Sequence, residues 1–348
     1  MIEFLSRNSV SFSAAFIVSF ALTLLFGNLL IPKLKLWQKR GQPIRSDGVE
    51  AHVAEKKGTP TLGGLIFIPA ILIASILFMD WSSPVAWLPL AAMVAFGAIG
   101  LFDDFDKLRK ANSYGGQRPI GRLLTEGVVG IVLTFLIEST MPAYVAPLSI
   151  VLPFGIIIAA GIFYFVWSYF VIVGTANAAN LTDGQDSLLP KVFLTIMLAM
   201  TVALIGITRT GFMPNLLFLP DAGALFPVFG ATVGGVLGYL WFNAKPASVY
   251  MGDTGSLALG GFLGTSALLM KSEIIMAAAG FMMIIILLSS FLQMMYYKFV
   301  APKGRPPFLM APLHHHYEKK GIPETKITER FFIMSIIFAG IAIALLKL

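Results

Sequence analysis

Ten apolar segments divide the chain, at 12–36, 62–79, 85–102, 123–137, 150–173, 188–208, 225–242, 256–270, 274–300 and 331–346. A helix needs about 20 predominantly apolar residues to cross a hydrocarbon core of ~30 Å, and most of these segments approach or exceed that length. The shortest are 123–137 and 256–270. Only 12% of the residues are charged, against about 25% in a soluble domain. The expected architecture is an all-α polytopic membrane protein: residues 1–348 form one integral membrane domain with ten transmembrane helices. There is no cysteine, which excludes disulfides and thiolate metal sites. The first apolar segment is too long, and too weakly flanked by N-terminal charge, for a cleaved signal peptide, and reads as a retained helix.

Ten spans would place both termini on one face and sort the loops into two sets. The odd-numbered loops with their flanks hold 21 of the 25 Lys and Arg residues; Arg7, Arg209, Lys271 and Lys347 fall on the other side. By the positive-inside rule the odd loops are cytoplasmic and both termini external. Gly230, Gly234 and Gly238 recur at four-residue spacing, as do Gly260 and Gly264, a pattern that lets helices approach closely. No GxxxxGK[ST] occurs, and no GxGxxG follows a plausible strand, so both nucleotide-phosphate fingerprints are missing. Nothing in the chain calls for nucleic acid as a partner.

The unusual polar clusters all fall in the cytoplasmic set of loops. Asp103, Asp104, Asp106 and Lys107 follow directly on an apolar run without charge. Carboxylates at that depth need a cation, a proton or a role; the bland alternative is a solvated helix end. Lys56, Lys57 and Thr61 lead into the second segment, where a helix N-terminus and lysines suit an anion or simply anchor the helix. Asn177 and Asn180 are three residues apart, as are Asp183 and Asp186, so each pair can share a helical face. That density of amides and carboxylates suits a nucleoside, whereas an Asx-rich turn accounts for only one or two of the four. Asn243, Lys245, Tyr250 and Asp253 precede the eighth segment. As an N-cap Asp253 would contribute about 1 kcal/mol; as a ligand it would bring Mg²⁺ to phosphate oxygens. His314, His315 and His316 are consecutive, a poor arrangement for one zinc and a better one for phosphate, sugar or carboxylate contacts. Hard-cation ligands beside phosphate-binding groups at a membrane border point to phosphoryl-type transfer between a lipid phosphate and a soluble phosphorylated donor.

These residues also carry a resemblance. Gly41-Gln42-Pro43-Ile44-Arg45, Gly58-Thr59-Pro60-Thr61, the aspartate pair and Asn180-Leu181-Thr182-Asp183-Gly184 are similar to motifs of the polyprenyl-phosphate N-acetylhexosamine-1-phosphate transferase superfamily. Ala311-Pro312-Leu313-His314-His315-His316, followed by Tyr317-Glu318-Lys319-Lys320-Gly321, resembles its phospho-N-acetylmuramoyl-pentapeptide transferase (translocase I) branch, and the likeness spans essentially the whole chain. Three departures stand out: Tyr250 where Phe is usual, Ser187 where Gly is usual, and Leu62 for Met. The resemblance implies ten transmembrane helices, a Mg²⁺-dependent cytoplasmic site in the bacterial inner membrane, and transfer from UDP-N-acetylmuramoyl-pentapeptide to undecaprenyl phosphate, giving lipid I and UMP. By motif, Asp103, Asp104, Asp253 and His314 are the catalytic candidates, with Asp253 the metal ligand. Lys56, Thr61, Lys107, Asn177, Asn180, Asp183, Asp186, Asn243, Tyr250, His315 and His316 are the substrate-binding candidates. A homodimer is an open option.

The mechanism expected is direct displacement of UMP by the lipid phosphate, with Asp103 positioning or deprotonating that phosphate; a covalent aspartyl intermediate is the competing route. An N-acetylglucosamine-1-phosphate transferase would share the aspartates. A transporter would bury such groups near the bilayer midplane rather than in loops on one face.

Overall fold

The computed structural model describes residues 2–38, 58–110, 116–141, 148–209, 217, 219–300 and 306–346. Among them are twelve α-helices: α1 (Ile2–Trp37), α2 (Gly64–Phe78), α3 (Pro84–Lys110), α4 (Pro119–Thr140), α5 (Tyr164–Thr182), α6 (Leu188–Ile207), α7 (Leu225–Asn243), α8 (Gly252–Leu269), α9 (Glu273–Ala279), α10 (Phe281–Phe299), α11 (Leu313–Lys319) and α12 (Glu324–Leu345). Eight stretches are helical, long and apolar enough to cross a membrane, in α1, α3, α4, α5, α6, α7, α10 and α12. The protein is therefore polytopic and dominantly helical.

The other two expected spans, α2 and α8, are helical as well; α2 is short and keeps Ile73 and Leu77 on an exposed face, whereas α8 lies inside the bundle. Helix α2 has only 15 residues. Helix α8 is buried from Thr254 to Leu269. A helix enclosed by protein rather than lipid can carry glycine, serine and threonine at close contacts, which lowers its hydropathy.

Two segments read as single spans are interrupted. The first half of 150–173 forms a hairpin, β1 (Ser149–Val151) against β2 (Ile157–Ala159), with Ile150 opposite Ile158. Pro153 and two glycines in the left-handed region, Gly155 (φ +70°) and Gly161 (φ +52°), break the run, and its β-branched residues favour strands. The 274–300 segment splits at Gly280 into α9 and α10.

Helix α8 is the axis of the bundle, with α3 and α5 packed against it. A Cβ at Gly260 or Gly264 would strike the α5 backbone at Thr175–Ala176 and Val171–Ile172, and one at Gly100 would strike the Asp253 carbonyl. Gly230 and Gly234 of α7 likewise meet the α1 backbone at Phe12 and Phe16. The small-residue spacing is thus close helix packing, as expected. Because α3 and α5 end where α4 and α8 begin, four helix termini meet at one end of the bundle. The end of α1 joins them, since Gln38 pairs with Thr61. The start of α12 does too, through Glu324 and Asp186. At the opposite end the buried Lys271 ammonium lies 2.7 Å from Glu138 Oε1 and donates to the Tyr164 hydroxyl at 3.0 Å. The end of α12, at Leu345, borders that same region.

Candidate active site

The first turn of α8 presents Asp253 to three elements. Its Oδ2 accepts from Lys107 Nζ at 3.0 Å and from Arg122 Nη1 at 2.9 Å, and its Oδ1 accepts from Asn180 Nδ2 at 2.9 Å. Lys107 sits one turn beyond Asp103 on α3 and bridges to it at 2.6 Å. Asp103 also accepts from the Gln117 N–H at 2.6 Å. Lys107 thus bridges the Asp103 and Asp253 carboxyl groups. Burial pushes Asp253 upward, but Lys107, then the hydrogen bond with Asp103, Arg122 and Asn180 outweigh it and hold the carboxyl at about 2.

Asp253 is not the cap of its own helix. That part is taken by Asp104: its Oδ1 accepts from the Asp253 N–H at 3.1 Å, and its Oδ2 accepts from the Thr254 N–H and hydroxyl at 2.9 and 2.7 Å. A carboxylate there satisfies N–H groups that a helix leaves open and complements the positive end of its dipole. The two adjacent aspartates therefore face different tasks. Asp103 points at Lys107 and Asp253; Asp104 fixes the backbone from which Asp253 projects.

A second cluster adjoins the first across the end of α5. Asp183 follows directly on that helix, and its N–H donates to Ala179 O at 3.1 Å. Asp186 is buried; its Oδ2 accepts from the Ala247 N–H at 3.1 Å and its own N–H donates to Glu324 Oε1 at 2.8 Å. Glu324 Oε2 meets Lys245 Nζ at 2.6 Å. Ser187 takes the left-handed conformation (φ +64°) that the usual glycine would take without strain, and its N–H donates to Asn243 Oδ1 at 2.9 Å. Asn243 Nδ2 donates to Val249 O at 3.0 Å, so its amide ties two loops together. His314 is fully buried, its ring centroid 4.3 Å from that of His315 and its Nε2 against Gly184, where any Cβ would collide. His315 Nδ1 lies 2.7 Å from Glu318 Oε2, and His316 Nδ1 accepts from the Leu309 N–H at 3.0 Å.

Of the other expected residues, Asn177 reaches the centre through Arg122, whose Nη2 donates to Asn177 Oδ1 at 3.1 Å. Thr61 is buried with its Oγ1 turned toward Gly252. The backbone of Tyr250 is zipped to Pro60 and Gly63 at 2.8 Å each. Lys56 lies outside the described residues, as does Arg45. Sequence reasoning missed Arg122, counted only among the positive charges of the cytoplasmic loops, and did not single out Glu126. The available signal was Glu126, the sole charged residue within 123–137, four residues after Arg122.

The donor set suits a hard divalent cation. The carboxyl groups of Asp103, Glu126 and Asp253 meet the two cations Lys107 and Arg122, with Asp104 directly behind Asp253. Among the described residues no three His, Cys, Asp or Glu side chains converge as a closed metal cage. Mg²⁺ does not require one: it is held by one or two carboxylates, water and substrate phosphates.

The family model described as Glycosyl transferase family 4 matches residues 86–271, which places the chain in that class of transferases. The phospho-N-acetylmuramoyl-pentapeptide-transferase of Rickettsia felis is 41% identical over 338 residues, covering 96% of this chain and 92% of that protein. Its namesakes from Rickettsia massiliae and Rickettsia canadensis are 41% and 40% identical over 336 residues, with the same coverage. The chain belongs to the phospho-N-acetylmuramoyl-pentapeptide-transferase family.

Proposed function

We propose that the chain transfers phospho-N-acetylmuramoyl-pentapeptide from its UDP-linked donor to undecaprenyl phosphate, forming lipid I and UMP for peptidoglycan synthesis. The observation that carries the reading is the meeting of Asp103, Asp253, Lys107, Arg122 and Asn180, drawn from four helices, at one end of a membrane bundle. Family membership supplies the substrates. The excess of Lys and Arg in the loops at that end supports a cytoplasmic site in the bacterial inner membrane. Both ends of the described chain lie at the other end of the bundle, in keeping with external termini and ten spans.

In the reaction an oxygen of the lipid phosphate attacks the β-phosphorus of the donor. The new P–O bond forms as the bond from that phosphorus to the bridging oxygen breaks, and UMP departs with the oxygen. A phosphate monoester has a second pKa of ~6, so the acceptor is largely dianionic near neutrality. Asp103 therefore serves mainly to position the acceptor and to take up its residual proton. Lys107 and Arg122 offset phosphate charge, and Arg122 presents a planar fork suited to phosphate oxygens. Asp253, with Asp103, would hold Mg²⁺, which when bound neutralises the diphosphate. Asp104 keeps Asp253 in place. The amides and carboxylates of 177–186, with Asn243, Tyr250 and His314–His316 around them, shape the nucleotide side.

The test is UMP release by the full chain with UDP-N-acetylmuramoyl-pentapeptide, undecaprenyl phosphate and Mg²⁺, each omitted in turn. Release only with all three is expected. Turnover of UDP-N-acetylglucosamine in preference to the muramoyl donor would assign the chain to the sister chemistry instead. A phospho-sugar covalently trapped on the protein with donor alone would replace direct displacement by the two-step route.

A further inference from the structure

Glu126 is wholly enclosed in the second turn of α4. A carboxylate in an otherwise uncharged apolar stretch is expensive unless it has partners and a role. Its partners are specific. Oε1 lies 3.3 Å from Arg122 Nε, and Oε2 accepts from Asn177 Nδ2 at 2.5 Å. Asn177 Nδ2 also donates to Val173 O at 3.0 Å, so the amide has one orientation, and its Oδ1 is left facing Arg122 Nη2 at 3.1 Å. Arg122 is thereby held by an ion pair at Nε and a hydrogen bond from Nη2, and its Nη1 donates to Asp253 Oδ2 at 2.9 Å.

We propose that Glu126 is a positioning residue for the transfer reaction: it fixes Asn177 and Arg122 so that the guanidinium addresses Asp253 in a single geometry. The inference rests on the transferase reading above. An ionised carboxylate only accepts hydrogen bonds, whereas an amide has one accepting and one donating end. In Glu126→Gln the volume is kept but one end becomes a donor. Turned toward Asn177 Nδ2, it forces that amide to rotate, and the Asn177 NH₂ then meets Arg122 Nη2. Turned toward Arg122 Nε, it repels the guanidinium directly. Either way Arg122 loses its fixed geometry.

The experiment is a double-mutant cycle of Glu126→Gln with Arg122→Lys, read on kcat/KM for the UDP-linked donor in the full chain. Glu126→Gln is expected to lower kcat/KM about 10- to 100-fold, the range for losing a hydrogen bond to a charged group. Added to Arg122→Lys, it is expected to cause no further loss, because both changes break the same linkage. Additive losses, or a Glu126→Gln variant with wild-type kcat/KM, overturn the proposal. Donor Kd by calorimetry carries the cycle for any variant too slow to assay. Glu126→Asp, which keeps the charge but withdraws it by one methylene, takes its place if the Gln variant is not recovered folded. A wild-type chain that releases no UMP defeats the transferase reading; an active wild type with an additive cycle defeats only the role of Glu126.

Discussion

Replacing Asp104 by Asn asks whether the buried aspartate acts by holding another residue's backbone. In the structure its two oxygens accept three hydrogen bonds from Asp253 and Thr254, at 2.7 to 3.1 Å, and the residue is 2% exposed. Asn keeps one accepting oxygen. Its NH₂ group must then face either the Asp253 N–H or the Thr254 donors, so at least one charge-assisted bond becomes a donor–donor contact. Losing such a bond and the negative charge at the helix N-terminus together amounts to about 2–4 kcal/mol of local stability. The start of α8 is released, and Asp253 moves with it. A displacement of ~1 Å at a reacting centre can cost on the order of 100-fold in rate. The assay is UMP release alongside the thermal midpoint in detergent. Both are expected to fall in Asp104→Asn, whereas Thr254→Val, which removes one neutral hydroxyl bond, should lower the midpoint only by the equivalent of about 1 kcal/mol. Asp104→Asn with turnover within about twofold of wild type and an unchanged midpoint would refute the reasoning.

Four further outcomes are expected. Asp253→Asn should fold yet lose Mg²⁺-dependent turnover, and unchanged activity would remove Asp253 from the metal site. The depressed Asp253 carboxyl, at about 2 against 3.8, contributes stability that is fully present above pH 3.8 and lost as pH falls toward 2; in a pH-denaturation series Asp253→Asn should lack that part of the acid transition. Ser187→Gly relieves a left-handed serine and should leave turnover intact with a midpoint unchanged or raised by up to about 1 kcal/mol equivalent; a lowered midpoint contradicts this. Lys271→Met, at the end of the bundle away from the site, leaves Glu138 without its 2.7 Å partner, and should cost about 3–5 kcal/mol of stability; kcat in the folded fraction should be retained, and a kcat loss at an unchanged midpoint would contradict that.

The chemistry was more legible in the sequence than the exact path of the chain. Carboxylates placed against apolar runs must be explained, so Asp103, Asp104 and Asp253 announced themselves. The three-residue spacing of Asn177 and Asn180 correctly put both on the face of α5 that meets the centre. What periodicity could not supply was tertiary. The division of labour between Asp103 and Asp104 depends on where α8 begins relative to α3, which no local pattern encodes. Arg122 looked like one more inward-facing positive charge, and only the fold brings it to Asp253. Apolarity dominates a window average, so 150–173 has the profile of one span, although Pro153, Gly155 and Gly161 within it are turn formers. Gly280 divides 274–300 for a related reason: one glycine scarcely alters hydropathy but ends a helix. The interior position of α8 explains why its glycine- and serine-rich sequence is less apolar than a lipid-facing span.

The central claim, that Asp253 and Asp103 share a hard cation with the donor diphosphate, is most directly tested with Mn²⁺ in place of Mg²⁺. The measurement is paramagnetic relaxation of the donor's ³¹P signals in the presence of the protein. Strong broadening with wild type that disappears with Asp253→Asn is the expected result; equal broadening with both proteins, or none with either, would contradict it.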